Sequence, residues 1–116
     1  MLEEKVYRQI VDEVFAAIDG AFEHVDPDLA ESHYSQGTLT IVFNGTLRFI
    51  LSPQTPVRQI WVAFKDRAGH FDRAEKTGAW IDDRGLGLDL YKLVAETTLA
   101  ATGQTVSVRP PGPPVH

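Results

Sequence analysis

Six carboxylates early in the chain, Asp12, Asp19, Glu23, Asp26, Asp28 and Glu31, are the first candidates for chemistry. Side-chain oxygens suit hard or borderline cations such as ferrous or ferric iron, manganese, calcium and magnesium, without selecting among them. His24 and His33 flank the run and add imidazole nitrogens as further candidate ligands. The same charges read equally as a solvated helix face or as a surface that steers a basic partner. Ser35, Ser52, His70 and Asp72 have the residue types of a hydrolytic set. No nucleophile elbow, metal-ligand pair or phosphate loop accompanies them, so independent catalysis is not expected. The remaining candidate is Trp61, inside Ser52-Pro-Gln-Thr-Pro-Val-Arg-Gln-Ile-Trp-Val-Ala63. A large aromatic among polar neighbours suggests a binding face, and burial in the core is the competing reading.

Positioning these groups falls to a single domain. A chain of 116 residues buries roughly two-thirds of the surface it would expose unfolded, without disulfide staples. With no cysteine, redox thiols, thiolate zinc sites and cysteine-ligated clusters on this chain are excluded. The net charge of -5 and pI near 5.2 argue against nucleic acid or an anionic membrane and for a cationic partner. Met1-Leu-Glu-Glu-Lys5 has neither a secretory nor a transit-peptide character, so a cytoplasmic location is expected. No apolar run approaches the roughly 20 residues of a membrane span.

From Leu2 to Val25, apolar residues such as Val6, Ile10, Val14, Ile18 and Phe22 recur at helical spacing, and Asp26-Pro27 is the expected stop. Stepping about 100° per residue places Asp12, Asp19 and Glu23 in one acidic line roughly opposite the apolar centre. A short strand over Glu31–Ser35 follows, then Thr38–Phe43 with Leu39, Ile41 and Phe43 inward, and an Asn44-Gly45 hairpin turn. The return strand Thr46–Leu51 puts Leu47, Phe49 and Leu51 inward and leaves Arg48 outward. Pro53 and Pro56 predict a bend feeding a strand from about Val57. There Ile60, Val62 and Phe64 share one face, with Gln59, Trp61 and Ala63 on the other. Lys65–Gly69 reads as a turn, His70–Asp72 as a fifth strand, Ala79–Asp82 as a sixth, and a helix runs from about Leu86 to a Gly103 stop.

The element order predicts an α+β fold, a two-layer α/β sandwich. N- and C-terminal helices pack on one face of an antiparallel sheet of about six strands. The other face then shows Thr38, Thr40, Arg48, Gln59 and Trp61, which favours a displayed tryptophan over a core one. Residues 1–108 form the expected domain, and the proline-rich stretch over 109–116 reads as a disordered tail.

Gly37-Thr-Leu-Thr-Ile-Val-Phe43, Gln54-Thr-Pro-Val-Arg-Gln-Ile-Trp61, Gly69-His-Phe-Asp72 and Trp80 ahead of the second helix resemble the frataxin family in its bacterial, CyaY-like form. The similarity runs from about residue 3 to residue 108 in matching element order. It implies a small protein that binds iron weakly through surface carboxylates and docks on the cysteine desulfurase and scaffold of iron–sulfur cluster assembly. In that setting it acts as iron donor, desulfurase regulator or both. It implies a monomer, with iron-dependent oligomers as an open alternative. The family's acidic ridge matches Asp12, Asp19, Glu23, Asp26, Asp28 and Glu31; its exposed tryptophan matches Trp61 and its glutamine Gln54, with His70 in the strand flanking that face. The chain departs from the pattern where Gly20, Leu29, Ala30 and His33 thin the ridge, where Ser52 replaces the usual asparagine, and where Gly87 stands near an expected Ser or Thr cap. An interaction module with no metal role is the competing reading.

Overall fold

The computed structural model describes residues 2–111. Helix α1 (Glu4–Gly20) is followed by β1 (Ala30–Ser35), β2 (Thr38–Phe43), β3 (Leu47–Gln54), β4 (Gln59–Phe64), β5 (Arg67–Arg73), β6 (Trp80–Asp82) and α2 (Leu90–Thr102). The strands lie in chain order in one antiparallel sheet, β1-β2-β3-β4-β5-β6. One sheet face buries Leu39, Ile41, Phe43, Phe49, Leu51, Ile60, Val62 and Phe71 against Tyr7, Val11, Phe15 and Ile18 of α1 and Leu90, Tyr91 and Val94 of α2. The two-layer α+β sandwich expected from the sequence is therefore the observed architecture.

Several boundaries differ from the sequence reading. α1 stops at Gly20, not Val25. Beyond it the chain winds through tighter turns, with Ala21 N donating to Ile18 O, Phe22 N to Asp19 O and Glu23 N to Gly20 O. Glycine holds the helix weakly, and these turns still deliver Phe22 to the core, which is why the apolar spacing continues past the helix end. β3 runs through Pro53 to Gln54. Pairing with β2 ends at Leu39–Leu51 while pairing with β4 continues to Gln54–Gln59, so Pro53 lies where β3 has a neighbour on one side only. The bend is a 3-10 turn over Thr55–Val57 with Arg58 left-handed at φ 53, and β4 begins at Gln59 instead of Val57. β5 starts at Arg67 because the turn is only Lys65-Asp66, with Lys65 at φ 54.

α2 begins at Leu90, not Leu86. The cap is Asp89, whose carboxylate accepts from Tyr91 N at 2.9 Å and Lys92 N at 3.2 Å. Gly87 lies outside the helix at φ 71. The inward face is correspondingly rotated: Leu90, Tyr91, Val94 and Thr98 are buried, whereas Leu86 is 64% exposed. Buried Thr98 donates its hydroxyl to Val94 O at 2.8 Å. Gly103 ends the helix at φ 76, donating to Leu99 O. The Thr105–Val108 stretch is irregular, with Val106 buried. Of the expected tail, residues 112–116 lie outside the described residues.

Two polar anchors fix segments that hydrophobic patterning leaves free. The fully buried Tyr7 ring sends its hydroxyl to the β3–β4 corner, donating to Gln59 O at 2.5 Å and accepting from Gln54 N at 3.0 Å. The Arg58 guanidinium lies 5.9 Å from that ring's centroid and donates to Leu2 O and Thr55 O. Asp82 anchors the segment ahead of α2 by accepting from Leu88 N at 2.8 Å and from Arg84 N and Leu86 N at 3.2 Å. Burial opposes its charge, but the three amides, Leu88 foremost, outweigh burial and hold its carboxyl below the ordinary range.

Tyr7→Phe leaves the Gln59 carbonyl and Gln54 amide without that partner and is expected to cost about 1–3 kcal/mol, read by urea denaturation. Asp82 has a folded pKa below its unfolded value. Its contribution is therefore complete above about pH 4 and is lost as the pH falls through the folded value. Asp82→Asn is accordingly expected to be less stable than the parent at neutral pH, with the gap closing in acid when denaturation midpoints are compared across pH.

Candidate functional site

Alternation along β4 buries Ile60 and Val62 and turns Gln59, Trp61 and Ala63 to the face the helices leave uncovered. Trp61 is half-buried there, whereas Trp80 is fully buried on the other side. Register sets Ser52 on β3 and His70 on β5 to either side of Trp61. The His70 ring stacks on the indole with centroids 4.3 Å apart and planes 18° from parallel. Gln59 is the hub beneath them. Its Oε1 accepts from Trp61 Nε1 at 2.9 Å, and its Nε2 donates to Asp72 Oδ1 at 3.1 Å and Asp83 Oδ2 at 3.0 Å. His70 Nδ1 lies 3.6 Å from the same Asp83 oxygen, and Asp83 N donates to His70 O at 2.8 Å. The indole is thus held in one orientation.

Gln59, Trp61 and His70 are brought together in one cluster. Gln54 sits at the end of β3 opposite Gln59, with its main-chain amide committed to Tyr7. Arg48 is exposed on the same sheet face but four positions before Ser52, roughly 13 Å along the strand at about 3.3 Å per residue. Asp72 and Asp83 were not among the partner-face candidates. Asp72 is reachable by alternation from His70 on β5; Asp83 follows β6 and carries no periodic signal.

The acidic residues gather around β1 as two groups on either side of that strand. Asp12 and Asp19 do not lie opposite the apolar centre of α1 but on the flank facing β1. Asp12 accepts from the Tyr34 hydroxyl and Asp19 from the Ser32 hydroxyl, both on the helix-facing side of β1. Burial foremost, then the Asp12 hydrogen bond and charge, pushes the Tyr34 phenol up to about 12. Glu31 and His33 point to the opposite, open face, where they pair at 3.6 Å. Glu23, His24, Asp26 and Asp28 are exposed on the connection between α1 and β1, and Asp26 Oδ1 accepts from Asp28 N at 2.9 Å.

Among the described residues, no three histidine or acidic side chains converge on one point. With Asp12 and Asp19 already accepting hydrogen bonds, the donor set fits a cation that keeps most of its water and touches one or two carboxylates, not a closed coordination shell. Two concavities lie on the helix side of the sheet and are lined by neither Trp61 nor any of the six candidate carboxylates. Both candidate surfaces are open ones, suited to contact with a macromolecule.

Similarity to known proteins agrees with the fold. The model of the frataxin-like domain matches residues 1–104. The iron-sulfur cluster assembly protein CyaY of Pseudomonas aeruginosa is 35% identical over 105 residues, covering 90% of this chain and 95% of the relative. Frataxin from Psychromonas ingrahamii superposes with a TM-score of 0.83 at 22% identity, covering 93% of this chain and 99% of that one. Trimeric frataxin from Saccharomyces cerevisiae, described as complexed with ferrous, superposes with a TM-score of 0.66 at 23% identity over 90% of this chain and 89% of that one. By sequence and by fold, the chain belongs to the frataxin-like family, in its bacterial CyaY-like branch.

Proposed function

We propose that this chain is an accessory protein of iron–sulfur cluster assembly. In this reading it docks on the cysteine desulfurase and its scaffold and holds iron weakly as cargo, acting as iron donor, desulfurase regulator or both. Residues 1–108 are its working domain, and 109–116 an appended tail. The observation that carries the reading is Trp61, pre-oriented by Gln59 and His70 on an uncovered sheet face, on the same sheet as the carboxylate-flanked edge strand β1, which lies beyond β3 and β2. A rigid aromatic of this kind anchors protein interfaces, and the acidic flank accelerates encounter with a basic patch. Support for the pathway comes from the name borne by the CyaY relative, and support for iron from the yeast frataxin described with ferrous.

Iron would use Asp12, Asp19, Glu23, Asp26, Asp28 and Glu31, with His24 and His33 as borderline nitrogen donors. The partner face comprises Gln54, Gln59, Trp61 and His70, with Arg48 at its far end. A second reading, an interaction module without a metal role, is favoured by the engagement of Asp12 and Asp19 in hydrogen bonds. Titration with ferrous iron under anaerobic NMR separates the two. Perturbation centred on Asp19 to Glu31 supports iron binding; an unchanged ridge supports the module.

Trp61→Arg is expected to abolish capture of the desulfurase–scaffold assembly while the denaturation midpoint stays near the parent's. Capture at parental strength would overturn the docking surface. Cluster-assembly kinetics with and without the protein at varied iron test the pathway itself. An iron-dependent rise marks a donor, an iron-independent change in sulfide release marks a regulator, and identical kinetics at every iron level contradict the proposal.

A further inference from the structure

The two edges of the sheet are finished differently. β6 is three residues long, and its outer side is occupied: Asp89 bridges Ile81 and Asp82 N donates to Leu88 O at 3.0 Å. β1 pairs with β2 through all six residues without a bulge, and among the described residues no strand lies on its other side. An open edge presents a row of main-chain donors and acceptors, and proteins normally blunt it with charged side chains, lysine above all, or with proline or a bulge. Ala30-Glu-Ser-His-Tyr-Ser35 has no lysine, proline or bulge, and its one carboxylate, Glu31, repels only acidic partners.

The charge around this edge is one-sided. Residues 9–47 contain seven aspartates and glutamates and no lysine or arginine. Asp12 and Asp19 lie on the helix-facing side of β1 and Glu31 on the open side. Pairing with a second copy's β1 would set two acidic flanks against each other, and like charges across adjacent strands oppose pairing. A chain bearing cations on either side of its own strand is favoured by the same field.

We propose that β1 is a strand-addition edge for an extended, lysine- or arginine-bearing segment of a partner protein. The partner's main chain continues the sheet, and its basic side chains meet the carboxylates flanking the strand. This rests on the docking reading above and adds to it a mode of contact, main-chain pairing in place of a simple meeting of charged surfaces.

The test uses the full chain and a capped hexapeptide, Lys-Lys-Val-Thr-Lys-Lys, which places lysines on both faces of an extended strand, with two versions N-methylated on its odd or its even residues. All three carry the same charge, but in an added strand only one alternating set of amides faces β1. The parent peptide is expected to slow hydrogen exchange at alternate amides of β1. One N-methylated version is expected to bind about tenfold more weakly, and the other within about twofold of the parent. Equal binding by all three, or no slowing in β1, overturns strand addition. Capture of the desulfurase–scaffold assembly by the parent chain, measured in parallel, keeps the two claims apart. Capture retained alongside a negative peptide result removes strand addition alone, and capture absent removes the docking reading.

Discussion

The period-two partition of an unbroken antiparallel sheet is the constraint on which the rest of this structure depends. Because successive side chains point to opposite faces, a one-residue slip of any strand would exchange core and surface along its whole length. Leu39, Ile41, Phe49, Leu51, Ile60 and Val62 are committed to the helix side. The residues between them are thereby placed on the face that no helix covers. Trp61 is displayed because Ile60 and Val62 must be buried.

The β3–β4 corner is where that partition is most exposed to error, since the connection contains proline and a left-handed arginine in place of a two-residue glycine turn. Tyr7 holds it from the first helix, joining Gln54 and Gln59 through one hydroxyl. The residue whose carbonyl receives this bond is also the one whose side-chain amide holds the Trp61 indole and ties it to Asp72 and Asp83. Core packing and the outward face thus meet at Gln59. Its carbonyl belongs to the buried architecture, and its amide to the surface network.

Much of this was legible in the sequence, for reasons that also explain the misses. The Asn44-Gly45 turn could be read because both positions need positive φ, at 53 and 73 here, and these residue types supply it. Lys65-Asp66 makes a turn one residue shorter than the Asn44–Thr46 loop and without that chemistry, so β5 was placed too late. Leu86 and Leu88 continue a helical spacing into α2 although neither is in it; the Asp89 carboxylate marks the true start. The face of Trp61 followed from alternation joined to the expectation that both helices cover one side of the sheet and to its polar neighbours Thr38, Thr40, Arg48 and Gln59. Its neighbour Asp83 did not, because it joins the cluster through tertiary contacts with His70 and Gln59. Asp12 and Asp19 were found as acids but misplaced on the helix, since only their partners Tyr34 and Ser32, on a distant strand, reveal which flank they occupy.

Two surfaces of different character therefore come from one constraint: an aromatic platform in the middle of the open face and an acidic edge along β1. Everything proposed for the platform requires that Trp61 be reachable from solvent while Trp80 is sealed. Iodide quenching of tryptophan fluorescence in the parent and in Trp61→Phe tests this most directly. The account predicts an accessible emitting fraction in the parent that disappears in Trp61→Phe, leaving emission that iodide barely touches. Equal resistance to iodide in both proteins, with both folded, would place Trp61 inside and contradict the displayed face.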